Sequence, residues 1–177
     1  GLNEINETGC AWVVLNWQMK IIRRPAYNDE LTVYTWSTSA DKLFAERDFR
    51  ITDKNGETIV IATSRWLYMD INRRRPVRIT PEIMDRYESE PEIHVFTEKV
   101  NRIDPPDTGY IEIPYNILRR DVDYLGHMHN ISYLDAAYDV MPEEYFNGPQ
   151  FNFVSIEYRK ELLRNDEVKA HFYKIDK

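Results

Sequence analysis

Asp121-Val-Asp123-Tyr-Leu125-Gly126-His127-Met-His129-Asn130-Ile-Ser-Tyr133 runs from an extended segment through a glycine-containing turn into a helix. Asn130 is a preferred N-cap residue. Ile131, Leu134, Ala137 and Tyr138 then recur at helical spacing until Met141-Pro142, so a helix is predicted from Ile131 to Val140. Gly126 permits a positive φ or a close backbone approach at the turn. A helix start presents unpaired backbone N–H groups, and those near Gly126 and His127 are candidate donors to a developing oxyanion. Acids and imidazoles beside such donors are equipment for hydrolysing an ester or a thioester. Asp123 or Glu161 is the candidate base, His127 polarises the carbonyl or orients the acid, His129 is a surface residue or their neighbour, and Asp121 reads as a surface or turn acid.

The segments before this turn read as strands. Trp12 to Arg24 is largely apolar and stops at Pro25, and Leu31 to Trp36 alternates with β-branched and aromatic residues. Phe44 to Thr52 and Thr58 to Asp70 flank Asn55-Gly56, the strongest short hairpin signal, so the first half is expected to be an antiparallel meander. Pro76, Pro81 and Pro91 break the pattern around a short helix. Asp104-Pro-Pro-Asp-Thr-Gly109 reads as a linker, which divides the chain into residues 1–95, a linker 96–109 and residues 110–177. Tyr110 to Arg120 is strand-like with Pro114 at an edge or bulge, and Phe151 to Tyr158 and Val168 to Ile175 are further strands.

Apolar residues make up 42% of the 177 residues and charged ones 30%, the composition of a soluble globular protein. No run approaches the roughly 20 apolar residues of a membrane-spanning helix, and no secretory leader is recognisable. Cys10 is the single cysteine, which excludes an internal disulfide and points to a reducing, cytoplasmic compartment, a bacterial cytosol. Its neighbours Gly9, Ala11 and Trp12 offer nothing to activate the thiol, so it reads as structural. A net charge of −7 argues against general nucleic-acid binding, yet Arg73, Arg74, Arg75 and Arg78 crowd one segment where an acidic partner could dock.

The order strand, helix, strand, strand of the second half resembles a hot-dog unit. Four blocks in order resemble the acyl-ACP thioesterases of the double hot-dog type: the segments 12–21 and 24–36; Arg47-Asp-Phe with Ala62-Thr-Ser-Arg-Trp66 and Asn72 to Arg78; Asp121 to Tyr133 against the family's Asp-x-Asp-x-Asn-x-His-Val-Asn-Asn-x-x-Tyr; and Tyr158-Arg-Lys-Glu161 against its Tyr-Arg-Arg-Glu. The resemblance implies an α+β tandem hot-dog, an antiparallel sheet wrapping long helices, with a first repeat for the acyl chain and a second for catalysis. It puts Asp123, His127 and Glu161 at the catalytic acid, histidine and glutamate, and Leu125 where the family has an asparagine. Gly126, His129 and Asn130 are the expected substrate contacts at the turn, and Met19, Ile21 and Trp66 those along the acyl chain.

The implied reaction is hydrolysis of acyl-ACP to free fatty acid, without cofactor or metal. The implied partner is acyl carrier protein, docked on Arg73, Arg74, Arg75 and Arg78, with a homodimer left open. Only eleven residues precede Trp12, where the family carries a strand and a long helix, so the first repeat reads as incomplete at its front. The rival readings are an acyl-CoA thioesterase of the hot-dog class and a non-catalytic acyl-binding protein.

Overall fold

The computed structural model describes residues 5, 7–96, 104–124 and 126–175. Leu125 and positions 97–103 of the expected linker lie outside the described residues. The chain divides into two compact units, residues 1–100 with 151–159 and residues 101–150 with 160–177.

The first unit is built on β1 (Cys10–Ile21), β2 (Leu31–Ala40), β3 (Phe44–Asp53), β4 (Thr58–Asp70) and the short β5 (Arg75–Pro76). After β6 (Ile111–Tyr115) of the second unit, β7 (Phe153–Glu157) returns to this sheet, whose order is β2-β3-β4-β1-β7 with β5 on β4. Every pairing in it is antiparallel. The β3–β4 hairpin forms where Asn55-Gly56 predicts it. Asp53 Oδ1 accepts the amides of Asn55 and Glu57 at 2.9 and 3.1 Å, Gly56 takes φ +82°, and the Asp53 and Glu57 backbones close the ladder.

The return of Phe153–Glu157 differs from the sequence division, which grouped Phe151 to Tyr158 with the second half. Ile156 opposes Trp17 and Val154 opposes Met19, so these two apolar residues fall on the same side as those of β1, while Phe153 opposes Lys20 on the other. The Tyr158 amide then donates to the carbonyl of Leu15, at the bulge where β1 shifts register against β4.

Register places Trp12, Val14, Trp17, Met19 and Ile21 on one face of the sheet with Trp66, Tyr68 and Phe49. Trp12 packs on Tyr68 with ring centroids 4.8 Å apart and Trp17 on Phe49 at 4.7 Å, contacts worth about 0.5–1.5 kcal/mol each beyond their burial. Over one end of this face lie Ile79 and α1 (Pro81–Asp85), whose start has Thr80 in an extended conformation and proline in the first turn. Ala45, Tyr68 and Ile79 form the buried cluster there, with Cys10, Trp12, Val77, Ile83 and Met84 against it. Cys10 is thus a packing residue. On the other face Trp36 Nε1 donates to the carbonyl of Ile93, and the buried Asp48 accepts the amide of Val95 at 2.8 Å.

In the second unit β6 pairs antiparallel with β8 (Val168–Phe172) as a two-stranded sheet, where Pro114 opposes Lys169. Such a sheet has only edge strands, so a proline is tolerated. α2 (Ser132–Asp139) and α3 (Glu143–Phe146) follow the turn. α2 stops one residue before Val140, close to the predicted end. α1, α2 and α3 run 5, 8 and 4 residues, shorter than the long helices the resemblance implies, and among the described residues no helix is long and apolar enough to cross a membrane.

Candidate active site

Asp123-Tyr-Leu-Gly126-His127 repeats the chemistry of Asp53-Lys-Asn-Gly56-Glu57. The Asp123 amide donates to the His127 carbonyl at 2.9 Å, the Gly126 amide to the Asp123 carbonyl at 3.1 Å, and the His127 amide to Asp123 Oδ1 at 3.2 Å. Gly126 takes φ +87°, the left-handed conformation this closure needs. The backbone amides of Gly126 and His127 are therefore engaged by Asp123. This corrects the expectation that they face an oxyanion: the turn that exposes the histidine is itself made with those two donors.

Two ladders fix the turn. Val122 bridges Met128 within it, while His127 bridges Leu163 and the Met128 amide donates to the Leu162 carbonyl at 2.7 Å. The second ladder brings the segment 160–163 beside the turn and sets His127 Nε2 at 3.6 Å from Glu161 Oε2. That distance is an ion-pair contact when the imidazole is protonated and too long for a direct hydrogen bond. The His127 side chain is 24% exposed and that of Glu161 47%, so water reaches the pair.

Asp121 is the turn acid of the sequence reading rather than the surface one. It is buried at 6% exposure, its Oδ2 accepts the Leu118 amide at 2.7 Å, and its carbonyl accepts the His129 amide at 2.6 Å. The 3-10 turn Arg119–Asp121 folds the carboxylate inward onto that amide. His129 lies exposed at the helix entry, where Nδ1 accepts the Ile131 amide at 3.3 Å and its carbonyl takes the Ser132 amide. The N-cap position is Ile131 rather than Asn130, and no side chain caps it; His129 serves the preceding amide instead.

Tyr133, in the first turn of α2, is half-buried, and its hydroxyl donates to the Lys160 carbonyl at 3.4 Å. Burial raises its pKa above the ordinary 10, a Leu162 amide contact opposes the rise, and the charges of Glu161 and Asp166 add to it. Beside it lies a cavity of about 340 Å³ within the second unit, walled by Met128, Ala136, Ala137, Leu162 and Phe172.

Among the cavities of the first unit, one of about 160 Å³ is walled by Trp12, Trp66, Met84, Tyr87 and Arg47. Of the three residues expected along an acyl chain, Trp66 lines it, and its Nε1 donates to Ser64 Oγ at 2.7 Å. Met19 and Ile21 share the sheet face but do not line this cavity. Arg73, Arg74, Arg75 and Arg78 are all exposed. Arg73 Nε lies 3.8 Å from Asp70 Oδ2, so Arg73 is partly neutralised. Among the described residues no group of three or more His, Cys, Asp or Glu is placed to hold a metal ion.

A family model described as the acyl-ACP thioesterase N-terminal domain matches residues 2–87, and one described as the acyl-ACP thioesterase C-terminal domain matches residues 106–176. The oleoyl-acyl carrier protein thioesterase 2, chloroplastic, of Arabidopsis thaliana is 27% identical over 170 residues, which cover 90% of this chain and 46% of that protein. A palmitoyl-acyl carrier protein thioesterase, chloroplastic, of Cuphea hookeriana is 27% identical over 173 residues, 94% of this chain and 42% of that protein. The chain thus spans about half the length of these curated relatives. The solved structure of an acyl-ACP thioesterase from Bacteroides thetaiotaomicron superposes with a TM-score of 0.80 at 26% identity, over 96% of this chain and 68% of that one. The 12:0-ACP thioesterase of Umbellularia californica, at 21% identity and a TM-score of 0.77 over 95% of this chain and 67% of that one, shares the fold.

Proposed function

The chain belongs to the acyl-ACP thioesterase family and has its hot-dog fold, and from that premise we propose that it takes part in hydrolysing the thioester of acyl-ACP to a free fatty acid and the carrier thiol. The observation that carries this reading is the approach of His127 Nε2 to Glu161 Oε2 at 3.6 Å on a turn open to water. Glu161 accepts a proton from water, and the water oxygen bonds to the thioester carbonyl carbon. The His127 imidazole donates to the oxygen that gains charge, and the C–S bond then breaks with the proton passing to the departing sulfur. Asp123 spends Oδ1 on the His127 amide and so holds the histidine in place, which supports Glu161 over Asp123 as the proton acceptor.

In this reading residues 1–95 form the acyl-binding repeat and residues 110–177 the catalytic one, less the strand Phe153–Glu157, which pairs into the first sheet. Trp66 contributes to the acyl wall, while Met19 and Ile21 lie further along the same sheet face. Arg73, Arg74, Arg75 and Arg78 form the docking surface for acidic carrier protein, and no cofactor enters the reaction. A single cysteine fits a reducing compartment, and we assign the protein to a bacterial cytosol.

The test is thiol release from acyl-ACPs and acyl-CoAs of graded chain length, by the wild type, Glu161→Gln and Asp123→Asn. The expected result is turnover on acyl-ACP that Glu161→Gln lowers by about 10²–10⁴-fold. Asp123→Asn, which keeps an oxygen acceptor for the His127 amide, loses less. Full turnover by Glu161→Gln overturns the assignment of the base, and hydrolysis of acyl-CoA alone overturns the carrier-protein substrate.

A further inference from the structure

The segment that carries Glu161 is held from two sides. On one side the backbone of His127 and Met128 pairs with Leu162 and Leu163. On the other, the Tyr133 hydroxyl donates to the Lys160 carbonyl at 3.4 Å and meets the Leu162 amide. Lys160 and Leu162 are the residues immediately before and after Glu161, so the phenol contacts the backbone on both sides of that carboxylate. We propose that Tyr133 is a positioning residue that acts through Glu161, clamping its backbone so that the carboxylate stays within reach of His127.

Three features of the site support this role. A peptide segment held at both flanking residues has little freedom in φ and ψ at the residue between, and that freedom would otherwise swing the Glu161 Cβ away from the imidazole. The hydroxyl is also a dependable donor, because burial and the nearby Glu161 charge keep the phenol protonated well above neutral pH. The ring lines the same cavity as Met128 and Leu162, and Tyr133→Phe keeps every ring atom. Removing the oxygen alone therefore leaves the packing in place.

The kinetic arm of the test rests on the thioesterase reading; the structural arm does not. Tyr133→Phe is expected to lower kcat on acyl-ACP by about ten- to a hundred-fold, the scale of a misplaced catalytic group, with KM unchanged. In a Glu161→Gln background the same substitution is expected to change kcat less than about twofold, because its effect passes through the missing carboxylate. A loss of equal size in both backgrounds, or a fall in thermal midpoint with kcat intact, overturns the proposal. Crystal structures of the wild type and Tyr133→Phe form the second arm, which decides where turnover is too slow to measure. A widened or disordered His127–Glu161 approach supports the clamp, and an unchanged approach refutes it. A wild type that fails to hydrolyse acyl-ACP sinks the proposed function and leaves this arm to judge Tyr133.

Discussion

Replacing Asp121 by alanine tests whether the acid that opens the site segment is structural. Its side chain is 8% exposed, accepts the Leu118 amide at 2.7 Å and lies 3.8 Å from Arg120 Nε. Removing a charged acceptor from a buried amide costs about 1–3 kcal/mol. Leu118 is itself 46% exposed, which lets water reach part of its backbone and favours the lower half of that range. The Arg120 contact is mostly solvent-screened and adds about 0–1 kcal/mol. A net loss of about 1–2 kcal/mol follows, a fall of about 2–8 °C in Tm for a chain of this size. Asp121→Asn retains an oxygen for the Leu118 amide and should lose about half as much. Urea and thermal unfolding of the three proteins measure this directly. The carbonyl of Asp121 that holds the His129 amide survives both substitutions, so turnover by the folded protein stays near wild type. Two results refute the reasoning: an Asp121→Ala protein within about 0.5 kcal/mol of wild type, as for an ordinary surface acid, or one of undiminished stability whose kcat collapses.

Gly126→Ala and Gly56→Ala form a matched pair, since both glycines have φ above +80° and nothing within 4 Å of an added Cβ. Each should cost about 1–2 kcal/mol from the left-handed backbone, but only Gly126→Ala should also lower kcat; equal kinetics would detach the turn from the chemistry. Burial pushes the Asp53 carboxyl up, but the Asn55 and Glu57 amides and Arg23 outweigh it and hold its pKa below the ordinary 3.8. A depressed carboxylate stabilises fully above its unfolded pKa and loses that contribution as pH falls through the folded value. The stability difference between wild type and Asp53→Asn should therefore be widest near neutral pH and close in acid, and a difference constant with pH down to acid unfolding would contradict the pairing. Reversing Arg73, Arg74 and Arg75 to Glu removes exposed contacts worth about 1–2 kcal/mol together, so KM for acyl-ACP should rise about five- to thirty-fold at low salt and less at high salt. An unchanged KM removes the patch from the docking surface.

The parts of this protein legible in its sequence are those governed by neighbours within about four residues. Alternation marked the long strands, Asn55-Gly56 marked their hairpin, and the 3.6-residue recurrence after Asn130 marked α2 to within about a residue at either end. The pattern Asp-x-x-Gly is equally local. It builds the same five-residue closure at Asp53 and at Asp123, which is why the amides of Gly126 and His127 are engaged rather than offered to a substrate. The four-block family pattern named Glu161 together with His127, and the two side chains lie 3.6 Å apart.

Tertiary structure decided the partners. Phe153–Glu157 joins β1 because its alternate residues bury against the apolar face of the first sheet, a choice that no periodicity within the strand encodes. Asp121 and Asp123 are both aspartates on one short segment, yet one is buried at the end of a 3-10 turn and the other closes the turn beside the histidine. The 3.6 Å approach of His127 to Glu161 depends on a ladder between residues far apart in the chain. Local chemistry specified each turn and strand by itself, but only the burial of apolar faces and the pairing of backbone groups across the fold chose which of them meet.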